Sequence, residues 1–292
     1  MARPDTARRR IAHRAQDAAF RAILALARRI PYDARVRAMG GLTARVIGPL
    51  TGYRARAEDS LARIYPDMPA TERRRIATAV CDNFGRTLIE NYSAAELHAR
   101  LADTKPTGAG LEALEAARSA GRPVLFVTGH FGNFEVPRHV LTGMGHEIGG
   151  LYRPLANPYM DAHYRETMTA WGGPVFAQGA RGTMGFARHL RQGGMATLLF
   201  DVHVEEGVPI PFLGQPAMTS LSAAEMALRF DAEMIPYFAR RRADGLSFDI
   251  EIEAPIARGT AEEMMREATA RLEAQIARAP AQWFWVHRRW KV

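Results

Sequence analysis

A chain of 292 residues, 47% hydrophobic and 24% charged, has the composition of an ordinary globular protein and can bury one large α/β core or two smaller ones. Its net charge of +8 is local: residues 1–75 hold 17 arginines against 7 acidic residues, and the rest of the chain sums to −2, so the basic quarter suits an anionic membrane, a nucleic acid or an acidic protein. A single cysteine, Cys81, with no Cys/His metal spacing around it, excludes a disulfide, fits a reducing, cytosol-facing setting and reads as a small buried apolar residue.

No stretch reaches the roughly 18 uninterrupted apolar residues of a spanning helix, and the opening MARPDTARRR lacks the apolar run of a signal peptide. Between residues 11 and 30, Phe20, Ile23, Leu24 and Ala27 fall at helical spacing while Arg14, Arg21 and Arg28 recur every seven residues on another flank. That is a basic amphipathic helix, which either packs on its own domain or lies in a membrane interface with its arginines on lipid phosphates. Residues 71–100 read as helical, and 104–110, with Pro106 and two glycines, as a linker. Beyond it, short apolar runs at 124–127, 173–176, 197–200, 234–238 and 247–252 read as strands. Segments 111–119, 157–171, 181–191, 220–229 and 261–277 read as helices between them. The alternation predicts an α/β fold, a mixed sheet covered by helices. The expected division is an N-terminal helical, membrane-associating region over 1–105 and an α/β domain over 106–292.

The run PVLFVTGHFGNFE is the most informative. An apolar strand delivers His130 at its carboxyl end, the edge where open α/β sheets place ligands. Gly132 and Asn133 are turn and cap residues, so a helix can begin there with Glu135 in its first turn, near His130. A carboxylate holding one imidazole nitrogen leaves the other free to take a proton from an alcohol.

The chain resembles the lipid A biosynthesis acyltransferases, within the lysophospholipid acyltransferase group with its His-x4-Asp/Glu signature. The resemblance runs from about residue 55 to the end. It is carried by GHFGNFE with His130 and Glu135, by LYRPLANP with Arg153, by residues 190–220 with Asp201 and the PFLG segment, and by PAQWFWVHRRWK at 280–291. Relatives often have tryptophan where Phe134 stands, glutamine where Val202 stands before His203, and a clear membrane helix at the N-terminus.

The resemblance implies a glycerolipid acyltransferase type of fold and a His130/Glu135 dyad. The dyad would deprotonate a lipid hydroxyl for direct attack on an acyl thioester, with no metal, cofactor or acyl-enzyme. Asn133, Arg153, Arg181 and Asp201 are the candidate substrate-binding residues, and Arg153 or backbone amides after Asn133 would supply the oxyanion donors. Acyl carrier protein, or CoA, would carry the donor thioester, and the acceptor would be a lipid A precursor or another phospholipid, aminolipid or glycolipid. The place implied is the cytoplasmic face of an inner membrane, held peripherally or monotopically. The aromatic tail with Trp283, Phe284, Trp285, His287 and Trp290 is either a strand closing the core or a headgroup-level anchor.

Other classes fit less of the sequence. No G-x-S-x-G elbow occurs for a serine hydrolase, and His130, Glu135 and His139 lack zinc spacing. A basic membrane- or nucleic-acid-binding protein without catalysis would explain the N-terminal quarter and leave the His/Glu block without a role; nucleic acid is not an expected partner.

Overall fold

A computed structural model describes residues 7–291. Helices come first: α1 (Ala7–Ala27), then α2 (Tyr32–Leu42), which runs through a π-helical stretch (Thr43–Ile47) into the single turn α3 (Gly48–Leu50). After them come α4 (Tyr53–Ile64), α5 (Ala70–Asn91), α6 (Ala94–Leu101) and α7 (Gly110–Ser119). Pro31 and Pro69 stand at the N-caps of α2 and α5, where a fixed φ costs nothing and a missing N–H goes unused. The helical stretch expected at 71–100 is thus two helices, broken after Asn91.

The remaining elements alternate: β1 (Val124–Thr128), α8 (Val136–Gly143), β2 (Ile148–Tyr152), α9 (Pro158–Thr169), β3 (Val175–Ala177), α10 (Ala180–Arg191) and β4 (Met195–Leu199). A hairpin of β5 (Val208–Phe212) and β6 (Gln215–Thr219) follows, then α11 (Ser222–Arg229), β7 (Glu233–Arg241), β8 (Phe248–Ile252) and α12 (Ala261–Arg278). Asn157 caps α9 by accepting from the Tyr159 and Met160 N–H groups, and Thr260 with Glu263 forms a capping box on α12. The six-stranded sheet has the order β3-β2-β4-β1-β7-β8, parallel except for the antiparallel edge strand β8.

β1 is buried along its whole length, as a central parallel strand covered on both faces should be. Alternate side chains feed two cores: Leu125 and Val127 meet Leu198, Met234 and Leu272, while Val124 and Phe126 meet Leu141 and Ile235. Ala57, Leu61, Ile76 and Val80 of α4 and α5 belong to the first core, where a fully buried Leu or Ile contributes about 1.5–3 kcal/mol.

Two features were hidden from the periodicity. β2 contains Gly149 and Gly150, because a Cβ on either would press on His189 and Phe176 or on Arg138 at 3.2–3.3 Å. The hairpin carries Pro209, Pro211 and Pro216, which argue against a strand in sequence but are tolerated in an isolated two-stranded ribbon. Its turn uses left-handed Leu213 and Gly214.

α1 packs against α9, burying Leu24 and seating Phe20 and Ala27 beside Tyr92 and Tyr164. The three arginines spaced seven apart are engaged within the protein: Arg14 donates to the Tyr159 hydroxyl, Arg21 to Asp17 and Arg28 to the Tyr92 carbonyl. Ile11, Ile23 and Leu26 remain exposed. No described helix is long and apolar enough to cross a membrane.

Candidate active site

The pairing of β1 with β4 builds the centre. Thr128 lies opposite Leu199, and the Phe200 N–H donates to the Thr128 carbonyl at 3.1 Å, so the register runs on past both strands. Two residues further along each chain, His130 meets Asp201. The His130 backbone N–H donates to Asp201 Oδ2 at 2.7 Å, and the ring Nδ1 lies 2.8 Å from Oδ1. The Trp283 indole N–H donates to Oδ2 at 2.8 Å. Burial by itself would raise the Asp201 carboxyl; the charge of His130 and the bonds from its ring and backbone outweigh that and hold the group well below the usual carboxylate range. An ionised carboxylate only accepts, so Nδ1 is the donor in this bond, and Nε2 is the nitrogen whose lone pair is free in the neutral ring.

The expected partner, Glu135, makes no hydrogen bond to the ring among the described residues. Left-handed Gly132 turns the chain, and Asn133 accepts from the Glu135 N–H at 3.2 Å and from the Val136 N–H through its carbonyl at 3.0 Å. The turn leads Glu135 into the N-cap of α8, facing inward, with Oε2 3.8 Å from Arg138 and in no hydrogen bond among the described residues. Burial raises its pKa, and the charges of Arg138 and His130 only partly oppose this. The hydrogen bond of the imidazole is therefore to Asp201, a contact fixed by strand register, while the Glu135 carboxyl makes none to the ring among the described residues and still feels the charge of His130.

Asn133 also departs from the expected substrate contact. It is wholly buried, and its Nδ2 donates to Glu90 at 2.9 Å. Glu90 in turn pairs with Arg241 in a buried ion pair, and Asn83 and Thr87 donate to the Gly132 carbonyl at 3.0 Å. This network holds the turn, and the Glu135 and Val136 amides it consumes are not available to an oxyanion. A Cβ at Gly132 would come within 1.8 Å of the Ala239 carbonyl, so the turn requires glycine on both conformational and steric grounds.

Arg153, just beyond β2, and Arg181, in the first turn of α10, are both exposed and have no ion-pair partner among the described residues. Both lie at the carboxyl side of the sheet and remain open to a ligand. Among the described residues no group of three or more His, Cys, Asp or Glu side chains is placed to hold a metal ion.

The aromatic tail is core structure. The Gly132 N–H donates to the Gln282 carbonyl and the Phe284 N–H to the His130 carbonyl, so residues 282–284 run antiparallel to the catalytic loop through a single bridge at Phe131. Trp283 and Trp285 are fully buried, and Trp290 stacks on Phe212 at 5.7 Å. The same segment brings in His287, whose ring centroid stands 4.5 Å from that of His130, edge to face. Burial, and secondarily the charge of His130, pushes the His287 pKa down to about 4. A cavity of about 250 Å³ opens here, walled by Phe84, Phe134, Phe284 and Val80, with His130 and His287 on its rim. Phe84 and Phe284 pack at 4.7 Å and Tyr53 backs both. Sequence reasoning named Asp201 as a substrate-binding residue and not as the partner of His130, and it missed His287 as a neighbour of His130; the signal for the latter was the tail's unusual aromatic and basic density.

An imidazole bonded to a buried ionised carboxylate can accept a proton from a hydroxyl, and the apolar cavity beside it has room for an apolar group. Residues 5–292 match the family model described as bacterial lipid A biosynthesis acyltransferase, and the chain belongs to that family. It is similar to the lipid A biosynthesis acyltransferase of Haemophilus influenzae, 23% identical over 260 residues, 88% of this chain and 81% of the relative. It is also similar to the lipid A biosynthesis lauroyltransferase of Escherichia coli, 25% identical over 243 residues covering 80% and 77% of the two chains. Lipid A biosynthesis acyltransferase 2 of Shigella flexneri is 27% identical over 144 residues, 48% of this chain and 44% of the relative. The protein is an acyltransferase.

Proposed function

We propose that this enzyme moves a fatty acyl chain from an acyl carrier protein thioester to a free hydroxyl of a lipid A precursor, working at the cytoplasmic face of an inner membrane. The observation that carries the chemistry is the bond between His130 Nδ1 and buried Asp201. His130 Nε2 takes the hydroxyl proton as the oxygen attacks the thioester carbonyl. The tetrahedral intermediate then expels the thiolate, which receives the proton from Nε2, so an ester and a thiol replace an alcohol and a thioester. Asp201 stabilises the transient imidazolium, and the aromatic cavity accommodates apolar chain next to the reacting carbon. Glu135 supports the loop from beneath through Arg138, and Arg153 and Arg181 meet substrate anions. The basic N-terminal quarter suits both an acidic carrier protein and an anionic membrane surface.

The test offers labelled acyl carrier protein thioester with a panel of lipid acceptors to wild type, His130→Ala, Asp201→Asn and Glu135→Gln. Wild type acylates the lipid A precursor, and both His130→Ala and Asp201→Asn lose about a hundredfold or more in rate, about 2.7 kcal/mol of barrier. Glu135→Gln loses less than Asp201→Asn. Full activity of His130→Ala ends the general-base reading, and acylation of another lipid alone replaces the acceptor.

A further inference from the structure

Beside the catalytic cavity is a second opening of about 410 Å³, between α4 and the last residues of the chain. His287 lines both, so the two adjoin at a ring in contact with His130. Arg56 and Arg63, two turns apart on one face of α4, stand on one wall; Arg288, Arg289 and Lys291 stand on the other. Asp59 is the one carboxylate among the lining residues.

The positive charge here is weakly compensated. Arg63 donates to the Trp290 carbonyl and Arg56 to the Thr51 carbonyl, neutral acceptors that cancel no charge. Lys291 reaches Glu205 only at 3.5 Å. Exposed Arg288 has no hydrogen-bond or ion-pair partner among the described residues. Arg289 is 1% exposed, yet its guanidinium donates only to the Val202 and Met218 carbonyls and the Thr219 hydroxyl, and its Nε has no partner among the described residues. The opposing charge it feels is that of Asp201, which already accepts from His130 and Trp283, so an anion in the groove would offset the remaining cost of the buried cation.

We propose that this groove binds a phosphate group of one of the two substrates and thereby fixes the distance between that phosphate and His130. The inference rests on the acyl-transfer reading above. Guanidinium groups pair with phosphate oxygens in two-point contacts, and a phosphomonoester brings close to two negative charges. A phosphorylated lipid acceptor offers such a monoester, and the carrier-linked phosphopantetheine arm of a thioester donor offers phosphate oxygens as a diester with one negative charge.

The purified full chain is titrated calorimetrically with pantetheine 4′-phosphate against pantetheine, and with dihexanoyl phosphatidic acid against dihexanoylglycerol. At least one phosphate-bearing probe binds tenfold or more tightly than its counterpart. Arg288→Glu, at an exposed and unpartnered position, loses that preference with its melting curve unchanged, and Arg56→Gln weakens it. The tighter probe says whether donor or acceptor supplies the phosphate. Equal binding of phosphate and phosphate-free probes, or a preference that survives in Arg288→Glu, overturns the proposal. His130→Ala keeps the preference; if that variant also kept full transferase activity, the catalytic reading would fall while the groove stood.

Discussion

At the scale of single residues, His130 sits between two groups of opposite consequence. Asp201 attracts an imidazolium, and His287 would repel one if it were itself charged. Burial keeps His287 neutral by lowering its pKa to about 4, from an unfolded value of about 6.5. A depressed histidine makes a sign prediction: between those values the unfolded chain binds a proton that the folded one refuses, so stability rises with pH. The His287 contribution is complete above about pH 6.5 and is lost as the pH falls toward 4. Urea midpoints from pH 7 to pH 4 should therefore fall more steeply for wild type than for His287→Gln. Parallel lines would mean that the ring is protonated in the fold. Buried His139, lowered to about 3, contributes in the same direction to both proteins and leaves the difference intact.

At the scale of elements, the site is a junction of two strand ends, one turn and one tail. The turn is the most vulnerable part, because Gly132 is left-handed with φ +58 and has the Ala239 carbonyl against its missing side chain. Gly132→Ala should lower stability by about 2 kcal/mol or more, the left-handed penalty plus the displacement of β7. Chemical denaturation reads the stability loss. Transferase activity should fall further than stability accounts for, since the shift propagates to His130; a variant as stable and active as wild type would show the turn to be relaxed. This element was half legible in sequence. The strand before His130 and the glycine turn could both be read from local chemistry, whereas the helix is capped at Glu135 and not at Asn133. Which carboxylate reached the imidazole could not, since Glu135 is near in sequence but Asp201 is near only through the β1/β4 register.

For the whole molecule, the N-terminal helix divides its faces. One face, with Leu24 and Phe20, anchors it to the body, and Ile23 and Leu26 point away with no protein to cover them. Ile23→Ser with Leu26→Ser should leave folding unchanged and reduce sedimentation with anionic vesicles about tenfold or more, since burying two such side chains in lipid is worth several times RT. Unaltered vesicle binding would shift the contact to another surface, such as the exposed apolar run at Leu42, Val46 and Leu50. The sequence by itself determined the α/β alternation, the delivery of His130 at a strand end and the kinship carried by four ordered blocks, because each depends on local periodicity or contiguous residues. Tertiary structure alone decided that Asp201 holds His130, that the tryptophan tail seals the core and that His287 and the arginines around it lie beside that pair. Those contacts join residues 71 to 227 positions apart, and only sheet register and the packing of the tail on α4 bring them together.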